Sequence, residues 1–166
     1  MSEKFDYSFS KLENYLISEN FKGYDPYDTL NSFIPFKILG NFFSVLATQI
    51  QKRNPINIRR FIGIKKEINP KAFALFLSSY SILFKKTKNP IYKEKADFFY
   101  SWLKNNTSSG YSGISWGYNF PWSGWDMYLN SYVPSAVVTG FVVKGLYDYY
   151  QITKKVSVIK LMENAS

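Results

Sequence analysis

The stretch Gly110-Tyr-Ser-Gly-Ile-Ser-Trp-Gly-Tyr-Asn-Phe-Pro-Trp-Ser-Gly-Trp-Asp-Met-Tyr-Leu-Asn-Ser-Tyr-Val-Pro134 decides how the rest of the chain is interpreted. It contains three of the four tryptophans of the sequence, and its glycines and prolines exclude a long regular helix. A segment with so many large aromatic side chains is too apolar for a solvated linker. Loops of this kind, held by a rigid scaffold, usually bind a ligand. We therefore predict an aromatic loop over residues 105–133 that lines a pocket, with helices around it.

The composition excludes several kinds of chemistry. A chain of 166 residues can form one domain with its own core, and 46% hydrophobic residues argue against disorder. The sequence has no cysteine and no histidine, which excludes disulfides, thiolate or histidine catalysis and metal sites built from those residues. Acid–base chemistry must use the twelve Asp and Glu residues, or Tyr or Lys. We predict no metal and no cofactor.

The formal net charge of +9 favours an anionic partner, namely an acidic polysaccharide, a membrane surface or nucleic acid. The alternative is that a lysine-rich surface only keeps the protein soluble. No nucleic-acid motif accompanies the basic run over 52–66, so we predict no nucleic acid. The N-terminus lacks the apolar core of a signal peptide. Polar residues interrupt the apolar run 33–50, which predicts a buried amphipathic helix and no transmembrane segment. The expected location is cytoplasmic.

Apolar residues at helical spacing predict an all-α chain with one domain over 1–166. Asn69-Pro70 and Asn89-Pro90 are start signals, because Asn caps a helix and Pro suits its first position. The predicted helices cover about residues 8–20, 36–52, 71–86, 90–104 and 134–151, with a short helix at 57–61 and another from about 154. The second of these helices has an apolar stripe that we expect to be buried, formed by Ile38, Leu39, Phe42, Phe43, Leu46 and Ile50.

A faint internal repeat links two helical regions. Thr87-Lys88 and Thr153-Lys154 are identical pairs 66 residues apart (153 − 87 and 154 − 88), and apolar residues match at the same offset. Both copies predict a helix, a Thr-Lys turn and a second helix. Such hairpins stack, because one hairpin alone cannot bury its apolar face. Gly140 and Gly145 are expected to let neighbouring helices approach closely.

Three segments resemble bacterial proteins that are encoded with capsule and exopolysaccharide machinery. They read Gly-Tyr-Asp-Pro-Tyr-Asp-Thr-Leu-Asn-Ser at 23–32, Trp-Gly-Tyr-Asn-Phe-Pro-Trp at 116–122 and Val-Pro-Ser-Ala-Val-Val-Thr-Gly-Phe at 133–141. Their order and spacing are similar to that family, and the resemblance covers about residues 8–160. It implies stacked antiparallel hairpins in a partial (α/α)6 toroid, the architecture of six-hairpin glycosidases and terpenoid cyclases. It also implies a role in surface polysaccharide biosynthesis.

The sequence departs from that family in two respects. Ser123-Gly124-Trp125 stands where the family more often has a polar residue and an arginine. The family also continues beyond this length, since a full toroid of about twelve helices needs more residues. The resemblance therefore implies an N-terminal, incomplete copy. An incomplete toroid exposes an apolar edge, so we expect self-association.

Three carboxylates are candidates for acid–base chemistry on a sugar, namely Asp25, Asp28 and Asp126. Paired carboxylates act on glycosidic bonds or sugar C–H bonds, and a carboxylate among aromatic residues suits a general acid. The alternative is structural: Asp25 closes a turn, Asp28 caps the next segment and Asp126 lies in a solvated turn.

Flat aromatic faces in this sequence are candidates for stacking on sugar rings or on a prenyl chain. The candidate binding residues are Tyr24, Tyr27, Asn31, Trp116, Tyr118, Trp122, Trp125 and Tyr132. The alternative is a hydrophobic plug at one end of the helical stack. The sequence thus predicts a carbohydrate-handling protein, with a neutral or acidic oligosaccharide as partner. If it is catalytic, the resemblance implies a hydrolase, lyase or epimerase. A non-catalytic binding or scaffold module and an isoprenoid-binding toroid remain alternatives.

Overall fold

Helices make up most of the protein, which was analysed as a computed structural model that describes residues 3–165. They are α1 (Glu3–Ser18), α2 (Phe36–Leu39), α3 (Asn41–Arg53), α4 (Pro70–Thr87), α5 (Pro90–Asn105), α6 (Ala136–Thr153) and α7 (Val156–Glu163). A 3-10 turn covers Asp28–Asn31, and β1 (Trp122–Ser123) pairs antiparallel with β2 (Tyr128–Leu129) inside the aromatic loop. The prediction of a mainly helical chain is confirmed. Over residues 3–165, no helix has the length and apolar character needed to cross a bilayer.

The hairpin of α4 and α5 begins at the two predicted start signals. The Asn69 side chain accepts a hydrogen bond from the Lys71 N–H at 2.9 Å, and Asn89 caps α5 in the same way. Ring contacts between the helices pair Phe73 with Trp102 near one end and Tyr80 with Tyr92 near the other. The two helices therefore run antiparallel.

The hairpin of α6 and α7 repeats this design 66 residues later. Both α4 and α6 have 18 residues, and the cap of α6 is Ser135, the position that matches Asn69. Both helices end at a lysine in the left-handed region, Lys88 with φ 59° and Lys154 with φ 54°. The repeat therefore holds for α4 and α6 and for the turns that end them, whereas α7 has 8 residues against 16 in α5 and lacks a side-chain cap.

Helices α4 and α6 lie side by side and run parallel. The Lys71 ammonium lies 4.5 Å from the centre of the Phe141 ring near their starts, and the Ser78 hydroxyl donates to the Asp148 carboxylate further along. Between these contacts, a Cβ on Gly145 would lie only 2.6 Å from the Ala74 carbonyl oxygen. The glycine lets the two backbones approach, as the sequence predicts. Gly140, by contrast, has open space at the Cβ position.

The two glycines of α6 are expected to respond in opposite directions to alanine. Gly145→Ala should lower the free energy of unfolding by about 2 kcal/mol, because a backbone carbonyl cannot move aside easily. Gly140→Ala should raise it by about 1 kcal/mol, because alanine is the better helix former. Urea unfolding followed by circular dichroism measures both. Equal effects of the two substitutions would contradict the close packing of α4 on α6.

The hydrophobic core lies between the two hairpins, and α1 closes one side of it. Tyr80 donates to the Glu13 carboxylate at 2.9 Å, and Lys95 forms an ion pair with the same carboxylate. Burial raises the pKa of the Tyr80 hydroxyl, and the hydrogen bond to Glu13 raises it further. The hydroxyl therefore stays protonated and ties α1 to the first hairpin.

Helices α2 and α3 differ most from the sequence predictions. Gly40, with φ 92°, divides the predicted single helix into two, and residues 59–63 form a turn instead of the predicted short helix. The apolar stripe expected to be buried is exposed, with Ile38 84% and Phe42 57% accessible. The prediction was wrong because the inner side of α3 is its polar side, which packs on the 3-10 turn with Ser44, Val45, Thr48 and Gln51 buried.

Candidate functional site

The two ends of the aromatic loop are fixed against each other. Tyr132 donates its N–H to the Tyr118 carbonyl at 2.7 Å, and Ser135 donates to the Trp116 carbonyl at 3.0 Å. Between them, Gly117 lies so close to Val133 that a Cβ would lie 2.1 Å from its carbonyl oxygen. Only glycine allows this approach. The loop is therefore a fixed part of the fold.

Trp116 lies in the hydrophobic core and not at the site. Its side chain is 1% exposed, and its indole N–H donates to the Leu103 carbonyl at 2.9 Å. The ring therefore has no face left for a ligand. The predicted role of Trp116 in substrate binding is corrected: it holds the start of the loop against the end of α5.

The other two tryptophans of the loop are presented by a short β-hairpin. Trp122 lies opposite Leu129 across the hairpin, and Gly124 donates its N–H to the Met127 carbonyl at 2.9 Å. Trp122 is 39% and Trp125 70% exposed. The turn thus carries two accessible indole rings.

A cleft of about 770 Å³ opens between this hairpin, α3 and the segment that follows α1. Six residues of the predicted site line it, namely Asp25, Tyr27, Tyr118, Trp122, Trp125 and Asp126. The segments at 23–32 and 110–134 therefore line one cleft, as predicted, although 91 residues separate the two nearest of these six in the sequence, Tyr27 and Tyr118 (118 − 27). Both walls offer acids and aromatic rings.

Asp25 is held in place by its surroundings. One carboxylate oxygen accepts the Tyr27 N–H at 2.9 Å, which closes the predicted Asx-turn. The other accepts from the Asn69 amide at 3.0 Å. Since Asn69 also caps α4, the orientation of Asp25 depends on the first hairpin. Asp25 therefore closes a turn, as the structural alternative predicts, and also lines the cleft.

Asp28 lies behind the cleft wall and is 3% exposed. Arg59 donates to both carboxylate oxygens, at 2.8 and 3.1 Å, and the Asp25 N–H donates at 3.0 Å. Burial raises the pKa of the Asp28 carboxyl, although the bonds from Arg59 and from the backbone act in the opposite direction. The predicted direct catalytic role of Asp28 is corrected, because its oxygens are occupied. It positions Asp25, whose carbonyl also accepts from Arg59 at 3.1 Å.

Two tyrosines contribute hydroxyl groups to the cleft. Burial raises the pKa of Tyr118, and the negative charge of Asp25 raises it further. Tyr118 therefore keeps its proton and can act as a hydrogen-bond donor. The ammonium of Lys52 contacts the Tyr27 hydroxyl and lies 4.4 Å from the centre of its ring. These contacts hold Tyr27 at the edge of the cleft.

Three residues of the predicted site lie elsewhere. The Tyr24 ring faces Arg59 and Lys66, with cation-to-centroid distances of 5.5 and 5.8 Å, in a second, basic hollow. Asn31 is the last residue of the 3-10 turn and does not line the cleft. Tyr132 does not line the cleft; its side chain is 52% exposed and its backbone is left-handed with φ 62°. We exclude these three side chains from the candidate site.

Sequence reasoning missed five polar or aromatic residues of the cleft wall, namely Thr48, Gln49, Lys71, Phe120 and Ser123. A signal for one of them, Thr48, was present. Polar residues in the apolar run 33–50 argued against a membrane span, yet Ser44, Thr48 and Gln51 recur at helical spacing. That spacing marks a polar inner face. Phe120 lies in the quoted segment 116–122 but was not among the predicted binding residues, and nothing local in the sequence marked Lys71.

The carboxylates of the described residues that line the cleft do not form a metal-binding cluster. Over residues 3–165, no three acidic side chains come together in a way that would hold a metal ion. Comparison with known proteins adds no relatives: no protein family, no curated protein and no solved structure matches the chain. The resemblance to polysaccharide-biosynthesis proteins stays a prediction, and the cleft itself must support any functional conclusion.

Proposed function

We propose that this protein handles carbohydrate in bacterial surface polysaccharide biosynthesis and binds a sugar chain in the cleft. The proposal depends on one observation, that exposed indole rings and carboxylates line the same cleft. Trp122 and Trp125 present flat faces, which suit the C–H patches of sugar rings. Asp25, Tyr118 and Thr48 supply acceptors and donors for sugar hydroxyls. A volume of about 770 Å³ is within the usual range of ligand pockets.

We also propose that the hairpins belong to a partial (α/α)6 toroid. Parallel α4 and α6, each followed by a returning helix, give the alternation that such a toroid requires. The 66-residue repeat supports a stack of equivalent hairpins. In this arrangement the loops after returning helices gather on one rim. Two such loops, one after α1 and one after α5, line the cleft together with α3.

Asp25 and Asp126 also favour a catalytic role, as the acid and base of a hydrolase, lyase or epimerase that needs no metal. Two carboxylates flanking a bound sugar are the minimum for this chemistry. Asp126 stands at the hairpin turn, where an oxygen of its carboxylate lies 3.4 Å from the Cβ position of Gly124. It therefore comes from the wall that carries the tryptophans, while Asp25 comes from the other segment.

Tryptophan fluorescence titrated with neutral and uronate oligosaccharides tests the binding proposal. We expect saturable changes and an affinity about tenfold lower for Trp122→Ala, because the variant loses a stacking surface. Tyr147→Ala is the matched control, since Tyr147 is 52% exposed and lies on α6 outside the cleft. A flat response of the wild-type protein to both kinds of sugar would overturn the proposal.

Turnover of the oligosaccharide that binds best distinguishes an enzyme from a binding module. We expect Asp25→Asn and Asp126→Asn each to lower the turnover rate by about 100-fold with binding retained. Binding without any turnover in the wild-type protein would instead identify a non-catalytic module. An isoprenoid-binding protein would respond to a prenyl phosphate and not to sugars.

A further inference from the structure

The apolar stripe of α2 and α3 is exposed and lies outside the cleft. We call it the apolar face and define it by Ile38, Leu39, Phe42, Phe43, Leu46 and Ile50, which are 43–84% exposed. The polar side of α3 is turned inward onto the 3-10 turn. An amphipathic helix with this orientation buries its apolar side only when something outside covers it.

Further exposed aromatic side chains lie beside the apolar face. Phe33 is 72% and Phe61 81% exposed, and their segments are joined because the Phe33 N–H donates to the Ile62 carbonyl at 3.2 Å. The Phe42 and Trp125 rings lie 6.1 Å apart. Side chains with such high exposure stand on a convex surface. A protruding surface suits insertion into a fluid layer better than docking of a helix into a groove.

The charge around this face indicates what covers it. Residues 29–66 contain seven lysines and arginines and no acidic residue. Arg59 and Lys66 are paired with Asp28 and Glu19, and five cations form no ion pair with any described residue, namely Lys37, Lys52, Arg53, Arg60 and Lys65. Arg60 and Lys65 line a hollow of about 690 Å³ beside the Phe61 turn. An apolar face on a segment that carries cations and no acidic residue complements an anionic lipid surface.

We propose that the apolar face docks this protein on an anionic membrane surface, with the aromatic side chains in the acyl boundary and the cations at lipid phosphates. A second copy of the chain is a poorer occupant. A two-fold contact would bring the cations of one copy against those of the other. The proposal does not depend on the function of the cleft, because none of the six residues that define the apolar face lines it. Trp125, which lies against Phe42, borders both surfaces.

Flotation with lipid vesicles tests this proposal on the full chain. We expect binding to vesicles of phosphatidylcholine and phosphatidylglycerol in a two-to-one ratio, weaker binding in high salt, and little binding to phosphatidylcholine alone. The variant Phe42→Ser/Phe43→Ser should bind at least about tenfold more weakly. Tyr147→Ser is the matched control for an exposed aromatic residue on another surface. Arg60→Gln/Lys65→Gln should weaken binding, and Lys85→Gln/Lys86→Gln on α4 should not.

Trp125 supplies a second measurement within the same experiment. Its fluorescence should shift to shorter wavelength with anionic vesicles, and Trp125→Phe should abolish most of that shift. Circular dichroism checks that each variant is folded. The proposal is overturned if anionic vesicles do not bind, or if Phe42→Ser/Phe43→Ser binds like the wild-type protein. It is also overturned if that variant converts a dimer to a monomer while vesicles bind neither form, since a second copy then covers the face.

Discussion

Trp116→Ala is expected to lower the free energy of unfolding by about 4 kcal/mol. The ring is 1% exposed in the core, so its loss leaves a large cavity between α5 and α6. The Leu103 carbonyl also loses the indole N–H and keeps only the Asn106 N–H, at 3.4 Å. Urea unfolding followed by far-ultraviolet circular dichroism measures the change.

Two companion variants separate the causes of this loss. Trp116→Phe keeps most of the ring but not the donor, so we expect about 1–2 kcal/mol. Trp125→Ala removes a ring that is 70% exposed, and we expect at most about 0.5 kcal/mol. If Trp116→Ala and Trp125→Ala cost the same, then the division of the aromatic loop into a buried anchor and an exposed binding surface is wrong.

Removing either partner of the Asp28–Arg59 pair is expected to cost about 3 kcal/mol. The two side chains are only 4% and 13% exposed, so each single substitution leaves a buried group without its partner. Burial holds the pKa of Asp28 above its ordinary value, which means that the charged pair gains little over separate, solvated groups. The double variant Asp28→Asn/Arg59→Met should therefore recover at least half of the summed losses. Urea unfolding of all four proteins completes this cycle.

The same variants test whether Asp28 acts directly on a substrate. As a positioning residue, Asp28 affects sugar binding only through Asp25, so the double variant should regain sugar affinity together with stability. Simple addition of the two stability losses would show that the pair is not coupled. Loss of turnover in Asp28→Asn at wild-type stability would restore Asp28 as a catalytic residue.

The helical hairpins were predictable because their signals are local. An Asn-Pro pair fixes a cap and a first turn within two residues, and a Thr-Lys pair marks the end of a helix. These signals placed the start of α4 within one residue and that of α5 at Pro90. The orientation of α3 was not predictable in this way. An amphipathic pattern shows that a helix has an apolar side but not what covers that side.

The site was predictable only in part, for the same reason. The segments at 23–32 and 110–134 stood out by composition, and the cleft does lie between them. Composition could not distinguish Trp116 from Trp122, because burial depends on the contact of Gly117 with Val133 across the loop. The partner of Asp28 is Arg59, 31 residues away in another segment (59 − 28), and no local pattern connects them.

The two walls of the cleft are attached to the core to different extents, so we expect them to differ in mobility. The wall formed by the aromatic loop is fixed to the paired hairpins through Trp116, and their backbones touch at Gly145 and Ala74. Helix α3 contacts α2, the 3-10 turn and β1. Amide hydrogen exchange should therefore be slowest in the paired hairpins and faster in α3, as partial opening takes the least stable unit first. We therefore expect the width of the cleft to vary without unfolding of the core, which would let the same residues bind ligands of different thickness.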